Sequence, residues 1–86
     1  MAFLSRDEVK SIVTSALEEV ATLSGEIEDY KMSVLKNELQ VIFMNAIQKK
    51  LNDKGFRVTL SLSKLQSFET MGDLINYITE NQGKLP

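Results

Sequence analysis

Apolar residues recur at every third or fourth position in three stretches of the chain, which is the spacing of one face of an α-helix. The first stretch follows Ser5, and Glu8 three residues later completes the pattern of a capping box at a helix start. This helix is predicted to end near Leu23 and to bury Val9, Ile12, Val13, Ala16, Leu17 and Val20. The last stretch, TMGDLINYITENQ at residues 70–82, predicts a helix that buries Met71, Leu74, Ile75 and Ile78.

The remaining helical stretch fills the middle of the chain and includes the segment KMSVLKNELQVIF, residues 31–43. Gly55 lies just past its end, where glycine commonly caps a helix. Its start is open, because the residues EIEDYKM fit either a loop or an added helical turn. One face carries Leu35, Leu39, Ile42, Phe43, Ala46, Ile47 and Leu51, and we expect its central residues, Ile42 among them, to lie in the core.

The segment before the last helix, GFRVTLSLSKLQSF, alternates apolar and other residues from Phe56 to Leu62, as a half-buried strand does. A strand without a partner leaves its backbone N–H and C=O groups unpaired. We therefore expect a loop that leads into a short helix from about Ser61 to Leu65. A sheet formed across FRVTLSL would contradict this architecture. The sequence predicts an all-α fold, a single domain over residues 1–86, built as a small bundle of three main helices and one short helix.

Composition narrows the possible functions. The chain has 86 residues, of which 43% are hydrophobic and 26% are charged, as in one globular domain. It has no cysteine and no histidine, which excludes disulfides, thiolate metal sites and nucleophile–histidine pairs. We therefore expect a protein that is not an enzyme and binds no metal. No apolar run reaches the roughly 20 residues of a membrane span, so we expect a cytoplasmic protein with no membrane partner. We also expect a monomer.

Charge is unevenly distributed, with a net −5 over residues 1–29 and a net +5 over residues 30–66. A basic segment can indicate nucleic-acid binding. Here the lysines are dispersed and do not alternate with aromatic residues that could stack on bases, so we expect a solvated surface and no nucleic-acid partner. The acidic residues from Glu26 to Asp29 lack the spacing of a calcium loop and are interpreted as solvated surface too.

The predicted order of helices, with a long first loop and a short third helix, resembles the acyl and peptidyl carrier proteins of fatty acid, polyketide and nonribosomal peptide synthesis. The segment VKSIVTSALEEV resembles the first helix of that family. The strongest resemblance lies in LQSFETMGDLINYITEN, where the family's typical positions are filled by Phe68, Thr70, Met71, Leu74, Tyr77 and Ile78.

Carrier proteins have an Asp-Ser-Leu motif at the start of their second helix, and its serine carries 4′-phosphopantetheine. If Ser33 is aligned with that serine, Met32 replaces the Asp, Val34 replaces the Leu and the first loop becomes short. If the second helix is aligned from its end, the loop length is restored and Asn37 occupies the attachment position, where no prosthetic group could be attached. The sequence leaves both alignments open.

Under the first alignment, the resemblance implies that Ser33 is the cofactor-binding residue. A phosphopantetheinyl transferase would load it, and the arm would hold an acyl intermediate as a thioester for the biosynthetic enzymes of a specialised fatty acid, polyketide or related pathway. A serine at a helix N-terminus beside Lys31 and Lys36 suits the charge of a phosphodiester.

Two alternatives remain. The first is a carrier-like fold without the arm, which serves as a protein docking or regulatory module through its second helix. The second is an unrelated small helical adaptor. Residues 33–54 carry a net charge of +2, whereas carrier proteins usually present an acidic second helix. We therefore expect partner surfaces that are neutral or acidic.

Overall fold

The computed structural model describes residues 2–86 and confirms a mainly helical bundle with a very short sheet. Its helices are α1 (Arg6–Glu18), α2 (Asn37–Asp53), α3 (Leu62–Gln66) and α4 (Met71–Asn81). Its strands are β1 (Phe56–Arg57) and β2 (Gly83–Lys84). Two 3₁₀ turns, Ile27–Asp29 and Met32–Val34, lie in the long connection between α1 and α2. Among the described residues, no helix has the length and apolar character needed to cross a membrane.

The start of α1 is confirmed, but its predicted end near Leu23 is wrong. Ser5 caps the helix as expected, because Glu8 N–H donates to its hydroxyl at 3.2 Å and Ser5 N–H donates to the Glu8 carboxylate at 3.0 Å. The helix ends at Glu18, where the hydrogen bonding tightens: Val20 N–H bonds the Leu17 carbonyl three residues back at 3.0 Å. The apolar spacing of the sequence continues beyond Glu18, where the helical hydrogen bonding ends. The spacing therefore predicted a helix that is too long.

The expectation that Phe56 and its neighbours have no partner strand is also wrong. β1 pairs antiparallel with β2, with Phe56 opposite Lys84, because the chain returns to β1 after α4. The pairing covers only two residues on each strand. Beyond it, the Gln48 side chain takes over both main-chain groups of Val58, donating to its carbonyl at 2.7 Å and accepting from its N–H at 3.2 Å. The ladder therefore ends before α3, and the helical architecture stands.

The core lies between α1, α2 and α4, and its residues include Val9, Val13, Leu17, Phe43, Ile47, Leu51, Leu65, Met71, Leu74, Ile75 and Ile78. The prediction that Ile42 belongs to it is wrong, since 51% of Ile42 is exposed. Phe43, Ile47 and Leu51 follow one another at steps of four and set the buried side of α2. Ile42 is rotated about 100° from that line and faces outward.

The long α1–α2 connection is fixed to the bundle by its main chain. Met32 N–H donates to the Glu69 carbonyl and Met71 N–H donates to the Tyr30 carbonyl, both at 2.9 Å. Gly72 permits this close approach, because a Cβ at that position would lie 3.1 Å from the carbonyl oxygen of Glu28. The residues just before α2 are therefore held against the start of α4.

Candidate functional site

Ser33, the predicted attachment residue, lies in the 3₁₀ turn Met32–Val34 and is exposed, as is Val34 beside it, whereas Met32 and Leu35 are buried. Its hydroxyl makes no hydrogen bond with residues 2–86. Helix α2 begins four residues later, at Asn37, with Lys36 as its N-cap residue. Asn37 is thus the first residue of α2. In the alignment made from the end of the second helix, Asn37 is also the residue at the attachment position.

A buried glutamine holds this turn in place. Gln40 is only 5% exposed, and its Nε2 donates to the carbonyl of Leu35 at 3.1 Å. Its Oε1 accepts from Gln66 Nε2 at 3.0 Å, and Gln66 also donates to Asn37 Oδ1 at 3.3 Å. These bonds connect the start of α2 to the end of α3. Sequence reasoning missed Gln40, although its spacing of three residues before Phe43 places it on the buried side of α2.

Two cations flank Ser33 in sequence. Lys31 and Lys36 are both exposed, and neither forms an ion pair with any of the described residues. The N-cap side chain makes no hydrogen bond to the start of α2, since Lys36 cannot accept one there. The Ser33 hydroxyl and the two lysines fit a phosphodiester chemically. The first residue of α2, which lies in the most anion-favouring part of this arrangement, is an asparagine that cannot form the ester.

Ser33 also lines a shallow groove of about 510 Å³ between the 3₁₀ turn and the connection from α3 to α4. Its floor is formed by Met32, Leu35 and Phe68, and its rim is formed by the amides of Asn37 and Gln66. The groove is mixed in polarity and contains no histidine or cysteine. Its lining includes the hydroxyls of Ser33 and Ser67 and the carboxylate of Glu69, and its shallow, open shape offers a surface for contact.

The outward side of α2 forms the second candidate site. Val41 is 40% exposed and Ile42 is 51% exposed, in the middle of the helix. The same side of α2 presents three exposed polar residues, Glu38, Asn45 and Lys49. We call Glu38, Val41, Ile42, Asn45 and Lys49 the outer face of α2. Sequence reasoning missed this face because it assigned Ile42 to the core.

The expectation of a solvated acidic surface is incomplete: Glu26 and Asp29 are exposed, but Glu28 is partly buried, and both Glu26 and Glu28 form ion pairs. Glu28 forms hydrogen-bonded ion pairs with Arg6 at 2.6 Å and with Lys10 at 3.1 Å, and Lys10 also bonds Glu26 at 2.9 Å. These donors lower the pKa of Glu28 to about 2, with Arg6 contributing most. Arg6 also donates to Asn76 on α4 at 2.8 Å. The cluster therefore joins α1, the long connection and α4.

Over residues 2–86, no three side chains of the His, Cys, Asp and Glu types are placed to hold a metal ion. No model of a known protein family matches the sequence, and no curated protein or solved structure matches it either. The class defined by the fold is a small helical bundle. Its two candidate sites are the Ser33 turn and the outer face of α2.

Proposed function

We propose that this chain is a non-enzymatic docking domain that binds a partner protein through the outer face of α2. The observation that carries this proposal is the exposure of Ile42, 51%, beside Val41 in the middle of a helix whose opposite side is fully buried. Two adjacent apolar side chains there gain nothing from contact with water, whereas a partner surface would bury them. Asn37 at the first position of α2 supports a role that does not depend on a prosthetic arm.

The charges around this face indicate the partner's chemistry. Lys49 is exposed and forms no ion pair with the described residues, whereas Lys50 is paired with Glu19 at 2.9 Å. Glu38 is the acidic residue of the outer face. A partner with an apolar centre, a basic group facing Glu38 and an acidic group facing Lys49 would complement both charges, which would raise the rate of encounter. We place this interaction in the cytoplasm, in keeping with the expectation from the sequence.

Site-specific photo-crosslinking tests the docking role. A photoreactive amino acid in place of Ile42 should trap a defined partner in cells that make the protein. The matched control is the same group in place of Glu80, an exposed residue of α4. For a partner trapped only at position 42, Ile42→Ser should weaken binding to the purified protein about tenfold or more, as loss of an apolar anchor does. Identical cross-links at both positions, or unchanged binding of Ile42→Ser, would contradict the proposal.

A second function, an acyl carrier, is favoured by one observation, the exposed and unbonded hydroxyl of Ser33. In this proposal Ser33 provides the oxygen of the phosphodiester, and Lys31 and Lys36 lie close in sequence to hold its charge. The 4′-phosphopantetheine arm, when attached, supplies the thiol that carries the acyl group, and the protein supplies placement and a surface for biosynthetic enzymes. Loading by a phosphopantetheinyl transferase separates the two functions.

A further inference from the structure

Glu38 and Lys49 lie along one line on the outer face of α2. Lys49 follows Glu38 by 11 residues. This spacing is about three helical turns, so the two positions lie on nearly the same side of the helix, about 16 Å apart along its axis. Both are exposed, and neither forms an ion pair within residues 2–86. Val41, Ile42 and Asn45 lie between them. The face therefore has an apolar pair and one amide between a negative charge at one end and a positive charge at the other.

We propose that this face binds a second copy of the chain, with the two α2 helices antiparallel about a twofold axis. This inference rests on the docking role proposed above, and it identifies the partner on the outer face of α2 as a second copy of the chain. In this arrangement Glu38 of each copy faces Lys49 of the other copy, and the symmetry forms both ion pairs at once. A parallel arrangement would instead oppose like charges at each end. The charge pattern alone thus selects the antiparallel orientation.

The apolar part of this contact is small, because only Val41 and Ile42 provide large exposed hydrophobic groups on α2 itself. A contact of this size belongs to the weak, reversible class of interfaces. We expect a dissociation constant on the order of 0.1–1 mM. The chain would then be a monomer in dilute solution and a dimer at high concentration, and a heterologous partner that binds the same face would compete with the second copy.

Charge reversal at the two ends provides the test, with sedimentation equilibrium as the readout. Glu38→Lys should oppose two ammonium groups across each end of the interface, and Lys49→Glu should oppose two carboxylates. Each variant alone should therefore dimerise about tenfold more weakly than the wild type. An equimolar mixture of the two variants should recover association, because every opposed pair is then of opposite charge. Glu80→Lys, a reversal of an exposed charge on α4, is the control and should behave as the wild type.

The variants must be folded for this comparison, and their circular dichroism and melting temperatures establish that. Glu38 lies in the first turn of α2, where an acidic residue interacts favourably with the helix dipole. If Glu38→Lys unfolds, Glu38→Gln replaces it and should weaken dimerisation by a smaller factor. A wild-type chain that stays monomeric well above the expected dissociation constant, or a mixture that fails to recover association, would overturn the inference. Neither result would affect partner-specific cross-linking at Ile42, on which the docking role depends.

Discussion

The side-chain amide of Gln82 pairs with the main chain of Leu4 as a neighbouring strand would. Leu4 N–H donates to Gln82 Oε1 at 2.9 Å, and Gln82 Nε2 donates to the Leu4 carbonyl at 2.8 Å. The two residues are 78 positions apart, so this one side chain ties the segment before α1 to the end of α4. It also holds Leu4 in the core, where only 9% of it is exposed.

Gln82→Ala should therefore destabilise the fold. The substitution leaves the main-chain N–H and carbonyl of Leu4 without their side-chain partners at a partly buried site, which should cost about 1–3 kcal/mol in the free energy of unfolding. Urea denaturation measures the change. Glu80→Ala, two residues earlier and exposed, is the matched control and should stay within about 0.5 kcal/mol of the wild type. Equal effects of the two substitutions would show that the pairing with Leu4 contributes nothing.

Phe43 and Ile42 are adjacent in α2 but lie in opposite environments, which gives a direct test of how the helix is oriented. Phe43 is fully buried and Ile42 is 51% exposed. Phe43→Ala should cost about 3–5 kcal/mol because it opens a cavity in the core. Ile42→Ala should cost about 1 kcal/mol or less, since it leaves no enclosed cavity. Urea denaturation of both variants measures the difference, and a larger loss for Ile42→Ala would mean that α2 buries its other side.

The ion pairs of Glu28 should make stability depend on pH in the acid range. The pKa of Glu28 is about 2 in the folded chain, below its ordinary value of 4.5, because Arg6 and Lys10 stabilise the carboxylate. Its contribution is therefore complete above pH 4.5 and is lost as the pH falls towards about 2. Melting temperatures of the wild type and Glu28→Gln should differ at neutral pH and converge through this window.

Asp29→Asn is the matched control for that experiment. Asp29 is the next residue in the chain and is exposed, and it forms no ion pair with any of the described residues. Its variant should therefore melt close to the wild type at neutral pH. A constant difference between Glu28→Gln and the wild type from neutral pH down to about pH 2 would contradict the role given to the Glu28 carboxylate.

Local signals in the sequence predicted the starts of α1 and α3 well, although they left the start of α2 open. The capping box of Ser5 and Glu8 fixed the start of α1, and Ser61, the N-cap residue of α3, lies where the short helix was expected. Such signals work because the capping side chain bonds main-chain groups only two or three residues away. Gly55, with a φ of 89°, likewise ends α2 through its own backbone conformation.

Features that depend on distant residues could not be predicted in the same way. The pairing of β1 with β2 requires the chain to return after α4, and no local pattern specifies that. The orientation of Ile42 depends on which side of α2 the other helices cover. The apolar face of α2 is wider than the buried line from Phe43 to Leu51, so the sequence does not show which apolar residues are left outside the core. Gln40 is buried only because the Leu35 carbonyl and the Gln66 amide supply its hydrogen bonds. The candidate site consists mainly of features of this second kind.

The last prediction separates docking from acyl carriage. Incubated with coenzyme A and a broad-specificity phosphopantetheinyl transferase, the wild-type chain should show no mass increment. Ser33 lies four residues before α2, and Asn37 at the first position of the helix has no hydroxyl. The variant Lys36→Asp/Asn37→Ser/Glu38→Leu places an Asp-Ser-Leu motif at the start of α2 and should gain one phosphopantetheine, measured by intact-mass spectrometry.

A control for that variant is Lys36→Asp/Asn37→Ala/Glu38→Leu, which has no hydroxyl at the first position of α2 and should gain nothing. Its N-cap aspartate should stabilise α2 as much as in the serine variant, so a difference between the two reports on the hydroxyl and not on helix stability. The opposite result would contradict the docking role. A single increment on the wild type that is lost in Ser33→Ala would make Ser33 a true attachment site, because a transferase would then be accepting a serine from the 3₁₀ turn. The acyl carrier function would in that case replace docking as the primary role of the chain.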